Sequence, residues 1–114
     1  MKEFVKIMKA VSDPVRVKIL KMLQLKEMCV CEIQAALETS QSNASKHLKL
    51  LENAGLIDFK KDGLWVNYFL AEGSQSPYSK NLLGNLKHWL NDDPDIKRLI
   101  QRLPDINREE IRCR

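Results

Sequence analysis

An Asp-Gly pair at positions 62 and 63 separates two short runs that are rich in β-forming residues. The first run covers residues 56–61 (LIDFKK) and the second covers residues 64–70 (LWVNYFL). Glycine accepts the positive φ angle that a tight turn requires, so this stretch predicts a β-hairpin. Lys60 and Lys61 lie next to its tip. Apolar residues elsewhere in the chain follow helical spacing, which predicts a mainly helical fold with one small hairpin.

Four helices are predicted before the hairpin. The first carries apolar residues at Phe4, Ile7, Met8 and Val11. Asp13-Pro14 reads as an N-cap followed by proline at the first helical position. The second helix runs from there to about Leu25, with its charged residues facing outward, namely Arg16, Lys18 and Lys21.

A helix-turn-helix is predicted from the two helices that come next. The third helix covers roughly residues 30–37, and Ser40 caps a fourth that runs to about Ala54, where Gly55 ends it. A tight connection between two such helices is the helix-turn-helix pattern. A hairpin directly after it is a wing, so the predicted fold is a winged helix-turn-helix.

Two further helices are predicted after the hairpin. Ser76-Pro77 begins the first, and its apolar stripe is expected to consist of Leu82, Leu83, Leu86, Trp89 and Leu90. Asp93-Pro94 begins the second, which Pro104 closes. We therefore expect one DNA-binding and dimerisation domain over residues 1–104 and a flexible charged tail over residues 105–114.

Composition limits the class of protein further. The 114 residues suffice for one domain, and 19 Lys and Arg against 15 Asp and Glu give a net charge of +4. A basic chain suits a polyanionic partner, although charge alone is weak evidence. No apolar run is long enough to span a membrane and no secretory signal is evident, so we expect a cytoplasmic protein that does not engage the membrane.

The predicted fourth helix has two distinct faces. Ala44, Leu48 and Leu51 form an apolar face, and the opposite face is polar. Side chains of this polar type donate to base edges and phosphates in the major groove. On an isolated helix, a polar face of this kind more often only contacts solvent. Here the predicted helix-turn-helix and the basic wing beside it favour DNA binding instead. The expected DNA-contacting residues are Gln41, Ser42, Ser45, Lys46 and Lys49 on the helix and Lys60 and Lys61 on the wing.

The chain resembles the ArsR family of bacterial repressors over roughly residues 4–90. The resemblance is carried by residues 12–20 (SDPVRVKIL), 40–48 (SQSNASKHL), 54–57 (AGLI) and 63–68 (GLWVNY). It implies a homodimer joined through the first and last helices. It also implies repression by binding double-stranded operator DNA, relieved when an inducer binds.

Cys29 and Cys31 lie where the third helix is predicted to begin. A thiol at a helix N-terminus meets unpaired N–H groups, which lower its pKa, and thiolates are the ligands that soft ions prefer. Residues i and i+2 point about 200° apart on a helix but to the same side of an extended segment. An ion held by both sulfurs is therefore expected to distort the start of this helix. The alternative is that both cysteines are small core residues.

Within the family, the stretch at residues 28–33 (MCVCEI) resembles the trivalent arsenic and antimony site of the arsenic-responsive members. The resemblance implies arsenite or antimonite as inducer, with Cys29 and Cys31 as ligands. The family pattern continues to a third cysteine, where this chain has Gln34. Cys113 is the remaining candidate for a third ligand, from either subunit, although a tail cysteine without a role is an open alternative.

Three competing functions are weighed against this one. Cys29 and Cys31 could instead form a bridge in response to a persulfide or an oxidant. Zinc or cadmium sensing is the family's other common activity, and His88 and Asp92 stand at helical i, i+4 spacing, but a second ligand pair is not evident. A thiol-dependent reductase would need an anion-binding loop, which four glycines in the whole chain hardly allow. We therefore expect no enzymatic activity.

Overall fold

The computed structural model describes residues 1–72 and 76–107. Within these residues the chain forms six α-helices, three β-strands and a closing 3₁₀ turn over Leu103–Asp105. The helices are α1 (Lys2–Ala10), α2 (Pro14–Leu23), α3 (Val30–Leu37), α4 (Gln41–Asn53), α5 (Pro77–Leu86) and α6 (Pro94–Arg102), and the strands are β1 (Met28–Cys29), β2 (Ile57–Asp62) and β3 (Trp65–Leu70). This arrangement confirms the predicted winged helix-turn-helix.

The helix starts are set by side-chain caps, as predicted. The Asp13 carboxylate accepts hydrogen bonds from the N–H groups of Val15 (2.8 Å) and Arg16 (3.3 Å), and Ser40 Oγ accepts from Asn43 N–H at 3.1 Å. These bonds satisfy backbone donors that have no partner within the helix.

The end of α2 differs from the prediction, because the helix stops at Leu23 rather than near Leu25. The Leu25 N–H donates to the Met22 carbonyl, which is three residues back, so the hydrogen-bond spacing tightens and the helix closes there.

The three strands form an antiparallel sheet in the order β1-β3-β2. Asp62 pairs with Trp65, so the hairpin loop consists of Gly63 and Leu64 and lies one residue later than expected. Gly63 has a φ of +63°, and it occupies the first loop position, where a type II′ turn requires glycine. Strand β1 was not predicted, and it places Cys29 directly opposite Asn67 on β3.

The core lies between the helices and the sheet. Residues from every helix and from the sheet are fully or almost fully buried, including Ile7, Ile19, Leu20, Ile33, Leu48, Leu51, Leu56, Leu83 and Leu99. The predicted inward face of α4, with Ala44, Leu48 and Leu51, is confirmed. Its burial holds the opposite face of α4 toward solvent.

The prediction that Lys21 faces outward is wrong. Lys21 is 2% exposed, and its ammonium donates to the Leu86 carbonyl (2.8 Å), the Trp89 carbonyl (2.9 Å) and Asn91 Oδ1 (2.8 Å). Burial lowers the pKa of the amine below its usual value. The three acceptors use all three donors of the ammonium, which makes burial of the charge possible.

The fifth helix is shorter than its predicted apolar stripe, which ran to Leu90. Helix α5 ends at Leu86, where Lys21 binds its terminal carbonyl, and residues 87–92 form turns and bends. Trp89 and Leu90 lie outside the helix and are about half exposed, and Leu90 has a positive φ of 65°. Leu86 itself is buried within the subunit, as is Ile7 on α1.

Helix α6 packs near the end of α3. The Arg102 guanidinium donates to the Ala36 carbonyl at 3.1 Å and pairs with the Glu38 carboxylate at 3.0 Å. The 3₁₀ turn follows, and Ile106 is half-buried against the core. The domain boundary at residue 104 stays a prediction, and residues 108–114 of the expected tail lie outside the described residues. No helix within the described ranges has the length and apolar character that crossing a membrane demands.

Candidate nucleic-acid interface and cysteine pair

The outer face of α4 presents a row of polar side chains. All five residues predicted to contact DNA from this helix are exposed, namely Gln41, Ser42, Ser45, Lys46 and Lys49. Lys49 is the member of this set with an ion pair, to Glu52 at 3.8 Å, and its side chain is 68% exposed. Exposed lysines and hydroxyls on one face of a helix can reach both phosphates and base edges.

The orientation of α4 is held by Arg16, a residue for which the sequence indicated no special role. Its guanidinium donates to the carbonyls of Ala10 (2.6 Å) and Lys9 (3.2 Å) at the end of α1, and it lies 3.2 Å from His47 Nδ1 on α4. One planar side chain thus joins the end of α1, the start of α2 and the middle of α4. His47 is thus a hydrogen-bonded structural residue of the interior edge of α4.

The two wing lysines have different surroundings. They are adjacent on β2, so their side chains extend to opposite faces of the hairpin. The Lys60 ammonium lies 3.1 and 3.2 Å from the two carboxylate oxygens of Glu27 and 5.6 Å from the centre of the Phe69 ring. Lys61 is exposed and has no ion pair with any residue in the described part of the chain. At the tip, Leu64 is 98% exposed.

Cys29 caps α3, and Glu32 completes the cap. The Cys29 side chain accepts a hydrogen bond from the Glu32 N–H, and the Glu32 carboxylate accepts from the Cys29 N–H at 3.0 Å. This reciprocal arrangement is a capping box with cysteine in the usual place of serine or threonine. Lys26 lies 3.9 Å from the same carboxylate. The sequence contained a signal for this capping box, because Glu32 stands three residues after the cap residue Cys29.

The expectation of a lowered pKa for the thiol at position 29 is wrong. Burial raises the pKa of Cys29 above its usual value, and the nearby negative charge of Glu32 adds to the increase. The hydrogen bonds from the N–H groups of Glu32 and Cys31 act in the opposite direction but do not prevail. Cys29 is 1% exposed, so the loss of hydration raises the pKa of the thiol more than the N–H groups at the start of α3 lower it.

The backbone conformations of Cys29 and Cys31 differ, and only Cys29 has the extended conformation that the sequence argument requires for two sulfurs on one side. Cys29 has extended backbone angles (φ −83°, ψ 166°), whereas Cys31 lies within the first turn of α3. Cys31 is also buried, at 3% exposure. Cys113, the third predicted ligand, lies outside the described residues. Within the described residues, no group of three or more histidine, cysteine or carboxylate side chains is arranged to hold a metal ion.

The second candidate ligand pair does not share a helical face. His88 and Asp92 both lie in the segment between α5 and α6, which is not helical. Their i, i+4 spacing therefore does not bring them onto one face, as it would on a helix. The cause is the early end of α5 at Leu86, where Lys21 binds the helix terminus.

A family model described as bacterial regulatory protein, arsR family, matches residues 13–58 of the chain. This range covers α2, β1, α3 and α4 and reaches the first residues of β2.

Two curated relatives differ in the ion that their names mention. The arsenic resistance transcriptional regulator ArsR1 of Pseudomonas putida is 33% identical over 99 residues, which cover 83% of this chain and 76% of the relative. The cadmium resistance transcriptional regulatory protein CadC homolog of Staphylococcus aureus is 46% identical over 66 residues, which cover 57% of this chain. The chain spans 54%, or about half, of that protein's length.

Among solved structures, HlyU from Vibrio cholerae superimposes with a TM-score of 0.66 at 34% identity. The match covers 81% of this chain and 95% of HlyU. The likeness extends the relationship beyond the helix-turn-helix to most of the fold.

Proposed function

We propose that this chain, which belongs to the ArsR family of bacterial regulatory proteins, is a homodimeric repressor that binds operator DNA in the cytoplasm and is released by trivalent arsenic or antimony. The observation that carries the DNA-binding part is the exposed polar face of α4. It combines Gln41, Ser42 and Ser45 with Lys46 and Lys49 in the second helix of a helix-turn-helix. These residues would lie in the major groove, and Lys60 and Lys61 on the wing would contact phosphates.

A homodimer is supported by apolar surface around the first and fifth helices. Phe4 and Tyr78 contact each other edge to face, with ring centres 5.5 Å apart, and both remain about two-fifths exposed. Trp89 and Leu90 add further exposed apolar area near the end of α5. A second copy would cover such a patch and place two recognition helices about 34–36 Å apart, one turn of DNA.

The inducer part of the proposal is supported by the position of Cys29. The thiol caps α3, and α3 packs against α4. Cys31 is disulfide-bonded in the structure, so an ion can bind both sulfurs only after that bond is reduced. An ion then bound by Cys29 and Cys31 would withdraw the Cys29 sulfur from the capping box and disturb the start of α3. It would also disturb the pairing of Cys29 with Asn67, which connects this site to the wing. Linkage then requires that ion binding and DNA binding oppose each other.

The raised pKa of Cys29 favours arsenite over a dication such as cadmium. Arsenous acid carries three hydroxyl groups. When a sulfur–arsenic bond forms, one arsenic–oxygen bond breaks, and the thiol proton leaves with the hydroxide as water. A dication instead releases each thiol proton to the solvent, so its affinity depends on pH. A protonated thiol is therefore less of an obstacle to arsenite.

The test is release from DNA. A duplex selected from a randomised pool by repeated binding to the protein serves as the operator, with fluorescence anisotropy as the measurement. Arsenite should weaken binding about 5–150-fold, the range of typical allosteric couplings. Cys29→Ser should keep DNA binding, since serine is a good helix cap, and should abolish release. Failure to select any duplex would overturn the repressor proposal, and normal release in Cys29→Ser would overturn this inducer site.

Two further measurements separate the alternatives. Cadmium-induced release should tighten by about tenfold per pH unit for each proton displaced, whereas arsenite-induced release should be nearly independent of pH below the pKa of the thiol. Release by polysulfide or peroxide without release by arsenite would favour the oxidant-sensing function.

Sedimentation at micromolar concentration tests the dimer, and a monomer there would contradict it.

A further inference from the structure

The wing lysine Lys60 is already engaged by an acidic residue of the same chain. Its ammonium faces both carboxylate oxygens of Glu27, at 3.1 and 3.2 Å, and lies over the Phe69 ring. The two side chains are 57% and 46% exposed. Glu27 therefore occupies the same ammonium that a DNA phosphate would bind.

The other wing lysine provides an internal comparison. Lys61 is exposed and has no ion-pair partner among the residues that the structure describes. A phosphate can bind Lys61 without displacing anything, whereas at Lys60 it has to replace the Glu27 carboxylate. Since the pair is half exposed, this exchange is possible without unfolding any part of the wing.

Glu27, the partner of Lys60, lies close to Cys29 along the chain. It stands immediately before β1, two residues ahead of Cys29. On the sheet, Cys29 lies opposite Asn67, and Asn67 lies opposite Lys60. The carboxylate that holds the wing lysine thus belongs to the segment that bears the cysteine.

We propose that Glu27 competes with DNA phosphate for Lys60 and so limits the strength of the wing contact. This inference rests on the proposed function, because it requires that the wing contact DNA. In the free protein the Glu27 carboxylate holds the ammonium, and on DNA a phosphate replaces it. Glu27 then lowers the affinity for DNA. Because Glu27 immediately precedes β1, a movement of that segment would also change how readily Lys60 binds a phosphate.

The test compares Glu27→Gln, Lys60→Gln and the double variant on the same selected duplex. Removal of the competing charge should tighten binding about 1.5- to 5-fold in Glu27→Gln, the range that an exposed ion pair supports. Lys60→Gln should weaken binding. In the Lys60→Gln background, the Glu27→Gln change should have little further effect, because the competition no longer exists.

Glu72→Gln is the matched control. It changes the net charge equally and breaks a comparable exposed pair, with Lys87 at 3.4 Å, on another part of the molecule. An equal gain in Glu72→Gln, or an equal gain from Glu27→Gln with and without Lys60, would overturn the inference and leave DNA binding intact. If the wild-type chain bound no duplex, the proposed function and this inference would both be overturned.

Discussion

The Glu32 carboxylate accepts a hydrogen bond from the backbone N–H of Cys29 at 3.0 Å, while the Cys29 sulfur accepts one from the Glu32 N–H. The pair encloses the thiol between the first turn of α3 and a negative charge. The same contact therefore sets where α3 begins, and the charge of Glu32 adds to the effect of burial in raising the pKa of the thiol.

Glu32→Gln should lower the pKa of Cys29, because it removes a negative charge while glutamine can still accept the backbone hydrogen bond. Ultraviolet titration of the thiolate measures this, with Cys31 and Cys113 both changed to serine so that one thiol titrates. A pKa that does not change would show that burial alone is responsible.

The raised pKa of Cys29 also predicts how stability depends on pH. The folded state favours the protonated thiol, so this contribution is present below the usual value of 9.0 and is lost as the pH rises through the folded pKa. Wild-type stability, measured against that of Cys29→Ser by urea unfolding, should therefore decrease at alkaline pH. A difference that stays constant through this range would contradict the burial of the thiol.

Lys21→Met should destabilise the protein by about 1–3 kcal/mol, because the carbonyls of Leu86 and Trp89 lose a charged donor. Urea unfolding measures the loss. Lys18→Met is the matched control, since Lys18 lies on the same helix and is only half-buried, and it should cost much less. Equal losses in the two variants would mean that the hydrogen bonds of Lys21 contribute little.

The salt dependence of DNA binding should identify the phosphate contacts. Lys46→Ala and Lys61→Ala should each reduce the slope of log affinity against log salt concentration by about 0.9. Lys97→Ala on α6 is the control, because this exposed lysine lies outside the proposed interface. An unchanged slope in a variant that lacks both Lys60 and Lys61 would remove the wing from the interface.

Cys113→Ser distinguishes a two-thiol from a three-thiol inducer site. We expect a large loss of arsenite-induced release, since trivalent arsenic favours three sulfur ligands and Gln34 stands where the family has a cysteine. Competition anisotropy with the selected duplex measures it. Release at the wild-type level would make Cys113 dispensable.

The local signals in the sequence determined the order of the elements. Asp13, Ser40 and Asp93 cap helices where their sequence context predicted, and Gly63 supplies the positive φ of the wing. Caps and turns depend on residues within a few positions of one another, so a sequence pattern contains nearly all of the relevant physics. The exposed face of α4 followed in the same way from helical periodicity.

Contacts between distant segments were decided by the tertiary structure. Lys21 and Leu86 are 65 residues apart, and their hydrogen bond joins α2 to the end of α5, although the sequence places Lys21 on the charged outer side of α2. The residues on both sides of Lys21 are apolar and buried, so the second half of α2 is enclosed on nearly all faces and the amine has to find acceptors inside. The pKa of Cys29 was likewise decided by burial, which depends on the packing of the whole domain. A sequence pattern indicates which groups are near a helix end, but the free energy of a charge depends on how much water remains around it.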